Sequence, residues 1–139
     1  MKTKYVLSSA TLLLGSMLLG GCGIAPTTMP DGSVAFPARS SAWLKEGAFV
    51  NVESLRQVKP GLTKKQVYAL IAEPHFNEGV FAVHVWNYVF DFGTPEGKVV
   101  SCQYQVQFDR DMKVKATYWK EPECAALLDV EAARPMAGS

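Results

Sequence analysis

The stretch Lys98–Phe108 leaves little choice of conformation. Val100, Cys102, Tyr104, Val106 and Phe108 alternate with Ser101, Gln103, Gln105 and Gln107. A period of two puts the first set on one face of a strand and the second on the other. The pattern predicts an antiparallel strand with one dry and one wet face. His84–Phe92 alternates in the same way, with Trp86, Tyr88, Phe90 and Phe92 opposite Val85, Asn87, Val89 and Asp91. Between the two, Gly93-Thr94-Pro95-Glu96-Gly97 reads as a hairpin loop. After the turn residues Asp109-Arg110-Asp111, a third strand is expected, with Val114, Ala116 and Tyr118 on the apolar face and Lys113, Lys115 and Thr117 outside.

Upstream the period is helical. Asn51 can cap a short helix through about Lys59, with Val52, Leu55 and Val58 as its stripe. Pro60-Gly61 is a turn signal. The next helix has both ends written in. Thr63 is its N-cap and Gln66 completes a capping box, with Leu62 and Val67 placed as a hydrophobic staple. Val67, Leu70 and Ile71 form the buried face, and Pro74 ends the helix. Two helices followed by three strands predict an α+β fold, an ααβββ two-layer sandwich.

The central motif Gly61-Leu62-Thr63-x-x-Gln66-Val67, then Pro74, then Trp86-Asn87-Tyr88-Val89-Phe90, resembles the BamE (SmpA/OmlA) family. The resemblance runs from about Glu46 to about Trp119. It implies a small outer-membrane lipoprotein that binds subunits of the β-barrel assembly machinery, without catalysis, and that contacts anionic lipid head groups. In the family the segment ahead of the first helix carries a Gly and then an aromatic and belongs to the functional surface. Gly47 and Phe49 match that pattern.

The N-terminus carries an address. Lys2 and Lys4 precede an apolar run from Val6 to Leu19, which ends in Leu19-Gly20-Gly21-Cys22. A charged start, a short apolar core and small residues make a secretory signal over 1–21. The small residues before Cys22 match the bacterial lipoprotein box, in which Cys22 becomes the lipidated first residue. Several acyl chains, at about 0.8 kcal/mol per buried methylene, anchor a protein firmly. Gly23 stands where an inner-membrane retention signal has Asp, which points to the outer membrane, facing the periplasm. Residues 22–42, rich in Pro, Thr, Ser and Gly, read as a flexible tether. The folded domain is expected over 43–124, and 125–139 as a tail with a helical turn near its start and a disordered end. In an oxidising compartment Cys102 and Cys124 can form a disulfide; two buried thiols are the alternative, and the pairing is the favoured reading.

Charge and motifs narrow the function classes. The net charge is +1, or about −1 once Lys2 and Lys4 leave with the signal. No basic stripe suits nucleic acid. His75 and His84 are the only histidines. They read as plain surface residues, with no ligand spacing for zinc. Asp109 and Asp111 lack the Gly and Glu of a calcium loop. No phosphate loop or nucleophile arrangement is present, so neither cofactor nor catalysis is expected. Aromatic density points instead to protein binding. The expected interface joins Gly47 and Phe49 to Phe76, in an exposed loop after the second helix, and to Trp86, which opens the first strand and shares one edge with them. The alternative function is a periplasmic inhibitor or ligand-binding lipoprotein on the same two-layer fold.

Overall fold

The computed structural model describes residues 27–79 and 82–132. Cys22 and the signal therefore lie outside the described residues, as do Phe81 and the end of the tail. Among the described residues are four strands and three α-helices: β1 (Ala48–Phe49), α1 (Val52–Arg56), α2 (Lys64–Ile71), β2 (Val85–Gly93), β3 (Val99–Phe108), β4 (Val114–Trp119) and α3 (Glu123–Ala132). The sheet order is β1-β2-β3-β4. The class is α+β, but the sheet has one strand more than the expected three.

The added strand is β1. It pairs parallel to β2, with Ala48 opposite Phe90 and Phe49 opposite Asp91. Two residues without alternation carry no periodic signal, and a parallel partner so far along the chain cannot be read locally. The other pairs are antiparallel hairpins, and Tyr88 stands opposite Tyr104.

The helix starts follow their caps. Asn51 Oδ1 accepts the Ser54 N–H at 2.9 Å. Thr63 and Gln66 form the reciprocal capping box of α2. α1 closes at Arg56, earlier than Lys59, yet Val58 is still buried. The helices cover one sheet face. Leu55, Val67 and Ile71 pack with Tyr88, Phe90, Tyr104, Val106 and Phe108 in one core. Burial of the Tyr104 phenol pushes its pKa up to about 12, since the interior penalises the phenolate.

Two details of the sheet differ from the expected alternation. In β4 the register shifts beside Phe108. Phe108 pairs with Val114, but Gln107 pairs with Ala116, so Lys115 is the extra residue of a bulge. Beyond it the faces exchange. Thr117 and Trp119, not Ala116 and Tyr118, share the core face with Val106 and Tyr104. The Trp119 ring lies 4.6 Å from that of Tyr104. The bulge keeps Lys115 exposed while a large aromatic enters the core.

The second correction concerns the wet face. Gln103 and Gln105 are buried, Gln105 to 1% exposure. Their cover is the segment expected to be a tether. Residues 27–35 form a small hairpin closed by Met29 N–H to Ser33 O at 2.7 Å and Ala35 N–H to Thr27 O at 3.0 Å. The chain then crosses β3 as a strap. Gln105 Nε2 donates to Ala35 O at 2.8 Å and Gln103 Nε2 to Pro37 O at 3.0 Å. Side-chain amides at i and i+2 thus hold carbonyls at i and i+2. The amide of Gln105 also donates to Asn87 Oδ1 at 2.9 Å, and Asn87 Nδ2 donates to Glu78 Oε1 at 2.8 Å. Every link satisfies a group that burial would otherwise penalise. Burial raises the Glu78 carboxyl above its ordinary range, against the pull of its Asn87 hydrogen bonds.

At the far end, Cys102 and Cys124 are bonded, with Cα atoms 6.2 Å apart. Both are fully buried. The bridge fastens the first turn of α3 to the middle of β3. Where a single helical turn was expected, α3 runs for 10 residues.

Candidate functional site: the β1 edge and the end of α2

Gly47 begins the site. Its φ is +81°, a region that residues with a β-carbon rarely adopt, and a Cβ there would meet Asp91 Oδ1 at 2.7 Å and Val89 Cγ1 at 3.0 Å. Only glycine lets the backbone lie this close to β2. The Asp91 carboxylate in turn accepts a hydrogen bond from the Ser101 hydroxyl. The chain turns at Gly47, lays Ala48 and Phe49 along β2, and leaves the Phe49 ring 70% exposed.

Phe49 forms one wall of a groove of about 280 Å³ between β1 and the end of α2. Tyr68, Ile71, Ala72, His75 and Phe90 also line it. Tyr68 is 55% exposed. It lies on α2 off the stripe of Val67 and Ile71, so packing does not account for it. α2 ends without a glycine: Ala72 takes φ +62° and its N–H returns to Tyr68 O at 2.8 Å. The Tyr88 hydroxyl, inside the core, donates to Ala72 O at 3.1 Å.

His75, expected on the surface, is 5% exposed. Its Nδ1 accepts the Val89 N–H at 2.9 Å, so the ring must be unprotonated there and carry its hydrogen on Nε2. Burial holds its pKa below the ordinary value, while Glu73 and Asp91 pull the other way. Trp43 packs edge-on against this ring at 5.9 Å and donates from Nε1 to Pro74 O at 3.0 Å. His75 therefore joins the loop after α2 to β2. The signal was weak: Pro74 next to it marks a turn but not a burial.

The expected interface divides. Gly47 and Phe49 act as a pair at the sheet edge. Phe76 does not join them as an exposed anchor: it is 5% exposed and packs with Ala42 and Val89 beneath the strap. Its loop is polar in sequence, but the strap supplies a partner from 34 residues upstream. Trp86 is half-buried, 5.0 Å from the Phe108 ring, with the Lys64 ammonium 5.3 Å above it. It sits five residues along β2 from Asp91, the partner of Phe49. At about 3.4 Å per residue that is roughly 17 Å. Phe49 and Trp86 do not share one contact surface of side-chain size.

Among the described residues no group of three His, Cys, Asp or Glu side chains could hold a metal ion. A two-layer scaffold with a glycine-seated aromatic and a shallow groove at its edge defines a small α+β domain. The family model described as "Outer membrane protein assembly factor BamE domain" matches residues 47–118, more than half of the chain, and the chain belongs to that family. The match begins at Gly47 and ends within β4, so it spans the edge strand, both central helices and the sheet.

Proposed function

We propose that this protein is a non-catalytic accessory in the assembly of β-barrel outer-membrane proteins, and so in envelope integrity. In this reading lipid on Cys22 anchors it to the outer membrane, facing the periplasm. It binds another subunit of the assembly machinery through the surface around Phe49. The family match supports the process. The observation that carries the surface is the seating of Phe49. A large aromatic is held outward on a short edge strand by a glycine whose backbone no other residue matches. Such rigid, exposed aromatics anchor protein interfaces, and residues on segments held by a rigid scaffold are common carriers of function.

The test is crosslinking in cells with a photoreactive benzoylphenylalanine in place of Phe49. Adducts with a subunit of the β-barrel assembly machinery are the expected product. Adducts with a soluble periplasmic enzyme alone favour the inhibitor reading, and the absence of any adduct overturns the surface. Cys22→Ser tests the anchor separately, because the variant should leave the membrane fraction or stay unprocessed.

A further inference from the structure

The groove beside Phe49 carries a charge preference that its apolar walls conceal. An α-helix leaves its last carbonyls without internal partners, and these concentrate partial negative charge at its C-terminus. In α2 the Ala72 N–H takes only Tyr68 O, and among the described residues no donor reaches the carbonyls of Ala69, Leu70 or Ile71. Helices often place a Lys or Arg in the last turn to meet such carbonyls. α2 has none there. Among the described residues no Lys or Arg lines the groove into which this end opens.

Its walls fit the same ligand. Phe49 and Tyr68 stand on opposite sides, one from β1 and one from α2, and both expose most of their rings. Aromatic faces attract cations through their quadrupole, best where water is partly excluded. His75 also lines the groove. Held unprotonated at Nδ1 by the Val89 N–H, it adds no positive charge of its own.

We infer that the groove between Phe49 and Tyr68 receives a cationic side chain, an arginine or lysine of the binding partner, against the C-terminal carbonyls of α2. Arginine suits it better than lysine, since a planar guanidinium stacks on a ring and still offers donors at its edge. The inference rests on the reading that Phe49 lies in the partner surface, and it names what that surface recognises.

The experiment is a titration of the 15N-labelled full chain with two capped pentapeptides. One has arginine at its centre. The other has citrulline, whose neutral urea keeps the planar shape and part of the N–H edge but replaces one amino group with a carbonyl oxygen and carries no charge. The arginine peptide should shift the amide resonances of Phe49, Tyr68 and Ala69–Ala72 at millimolar concentration. It should bind about fivefold or more tightly than the citrulline peptide at low salt. Raising the salt should shrink that ratio. Phe49→Leu, which keeps an apolar wall but no ring, should bring the ratio towards one while the shifted residues stay the same. Equal binding of both peptides at the groove overturns the charge preference and leaves the docking surface standing. Shifts elsewhere, or none, overturn the site. Crosslinking from position 49 judges the partner surface independently. An arginine preference without a crosslinked partner leaves the cation site intact and removes Phe49 from the partner surface.

Discussion

Gly47 lies so close to Asp91 that a β-carbon on it would stand 2.7 Å from the carboxylate oxygen Oδ1. The contact fixes how β1 approaches β2, and with it the direction of the Phe49 ring. Gly47→Ala must either adopt a strained positive φ or push β1 away. Strain of this kind costs about 1–3 kcal/mol. A urea midpoint lowered to that extent, together with loss of crosslinking from position 49, is the expected outcome. An unchanged midpoint with full crosslinking would show that the close approach is dispensable.

Phe49 and Phe76 should behave as opposites. Phe49→Ala removes an exposed ring and should leave the free energy of unfolding within about 0.5 kcal/mol of wild type, as surface substitutions do. Binding should fall by 2 kcal/mol or more if Phe49 is a hot spot. Phe76→Ala empties a buried site beside Ala42 and Val89 and should cost about 3–5 kcal/mol of stability. Paired denaturation and pull-down measurements separate the two. The same behaviour for both residues would contradict the seating described here.

The bond between Cys102 and Cys124 closes a loop of 22 residues. On the chain-entropy account it contributes about 3 kcal/mol. Reduction, or the Cys102→Ser/Cys124→Ser double variant, should lower the midpoint by about that amount. It should also release α3, seen as faster hydrogen exchange over Glu123–Ala132. A midpoint insensitive to reductant would place the stability of this end in β3 and β4 alone.

His75 gives stability a dependence on acid. Its folded pKa lies below the unfolded 6.5, so the unfolded chain binds the proton more readily. The stabilisation is complete above pH 6.5 and is lost as pH falls through the folded value. Stability measured from pH 7.5 downwards should therefore decline below about 6.5. His75→Gln, whose carbonyl can still accept the Val89 N–H, should remove that decline. Glu78 works in the opposite sense: its raised pKa favours the fold below the ordinary carboxylate range, and that contribution is lost as pH rises through the raised value. Glu78→Gln separates the two groups.

The strap rests on two glutamine amides, which makes it testable by proteolysis. Gln103→Ala with Gln105→Ala removes both donors to the carbonyls of Pro37 and Ala35. Trypsin should then cut after Arg39 faster than in the wild type, while the core midpoint changes less than with Phe76→Ala. Unchanged cleavage would mean that Ala42 and Trp43 alone hold the segment.

What the sequence disclosed follows from the range of the forces involved. The capping box of Thr63 and Gln66 spans three residues, and the alternation of β3 reports its own two faces. Both are local and both were legible. The cover over Gln103 and Gln105 comes from carbonyls 66 and 70 residues away, and a buried glutamine looks like an exposed one until its partner is known. Lys115 misled in another way: in strict alternation with Val114 and Ala116 it hides the bulge that brings Trp119 inward. At the site, Gly47 and Phe49 could be picked out by resemblance. Tyr68 and His75 could not, because an aromatic off a helix stripe and a histidine after a proline have ordinary explanations until the end of α2 is seen to open between them.

The parallel pairing of β1 also orders events in time. The hairpins β2–β3 and β3–β4 join neighbours in the chain, whereas Ala48 must find Phe90 across an intervening pair of helices. Loop closure of that length is costly before the central sheet exists and cheap once α1 and α2 have docked on it. The strand carrying Phe49 is then expected to join the sheet after the two hairpins have formed. A partner docking on Phe49 would therefore meet a surface that exists only once β1 has closed the edge of the sheet.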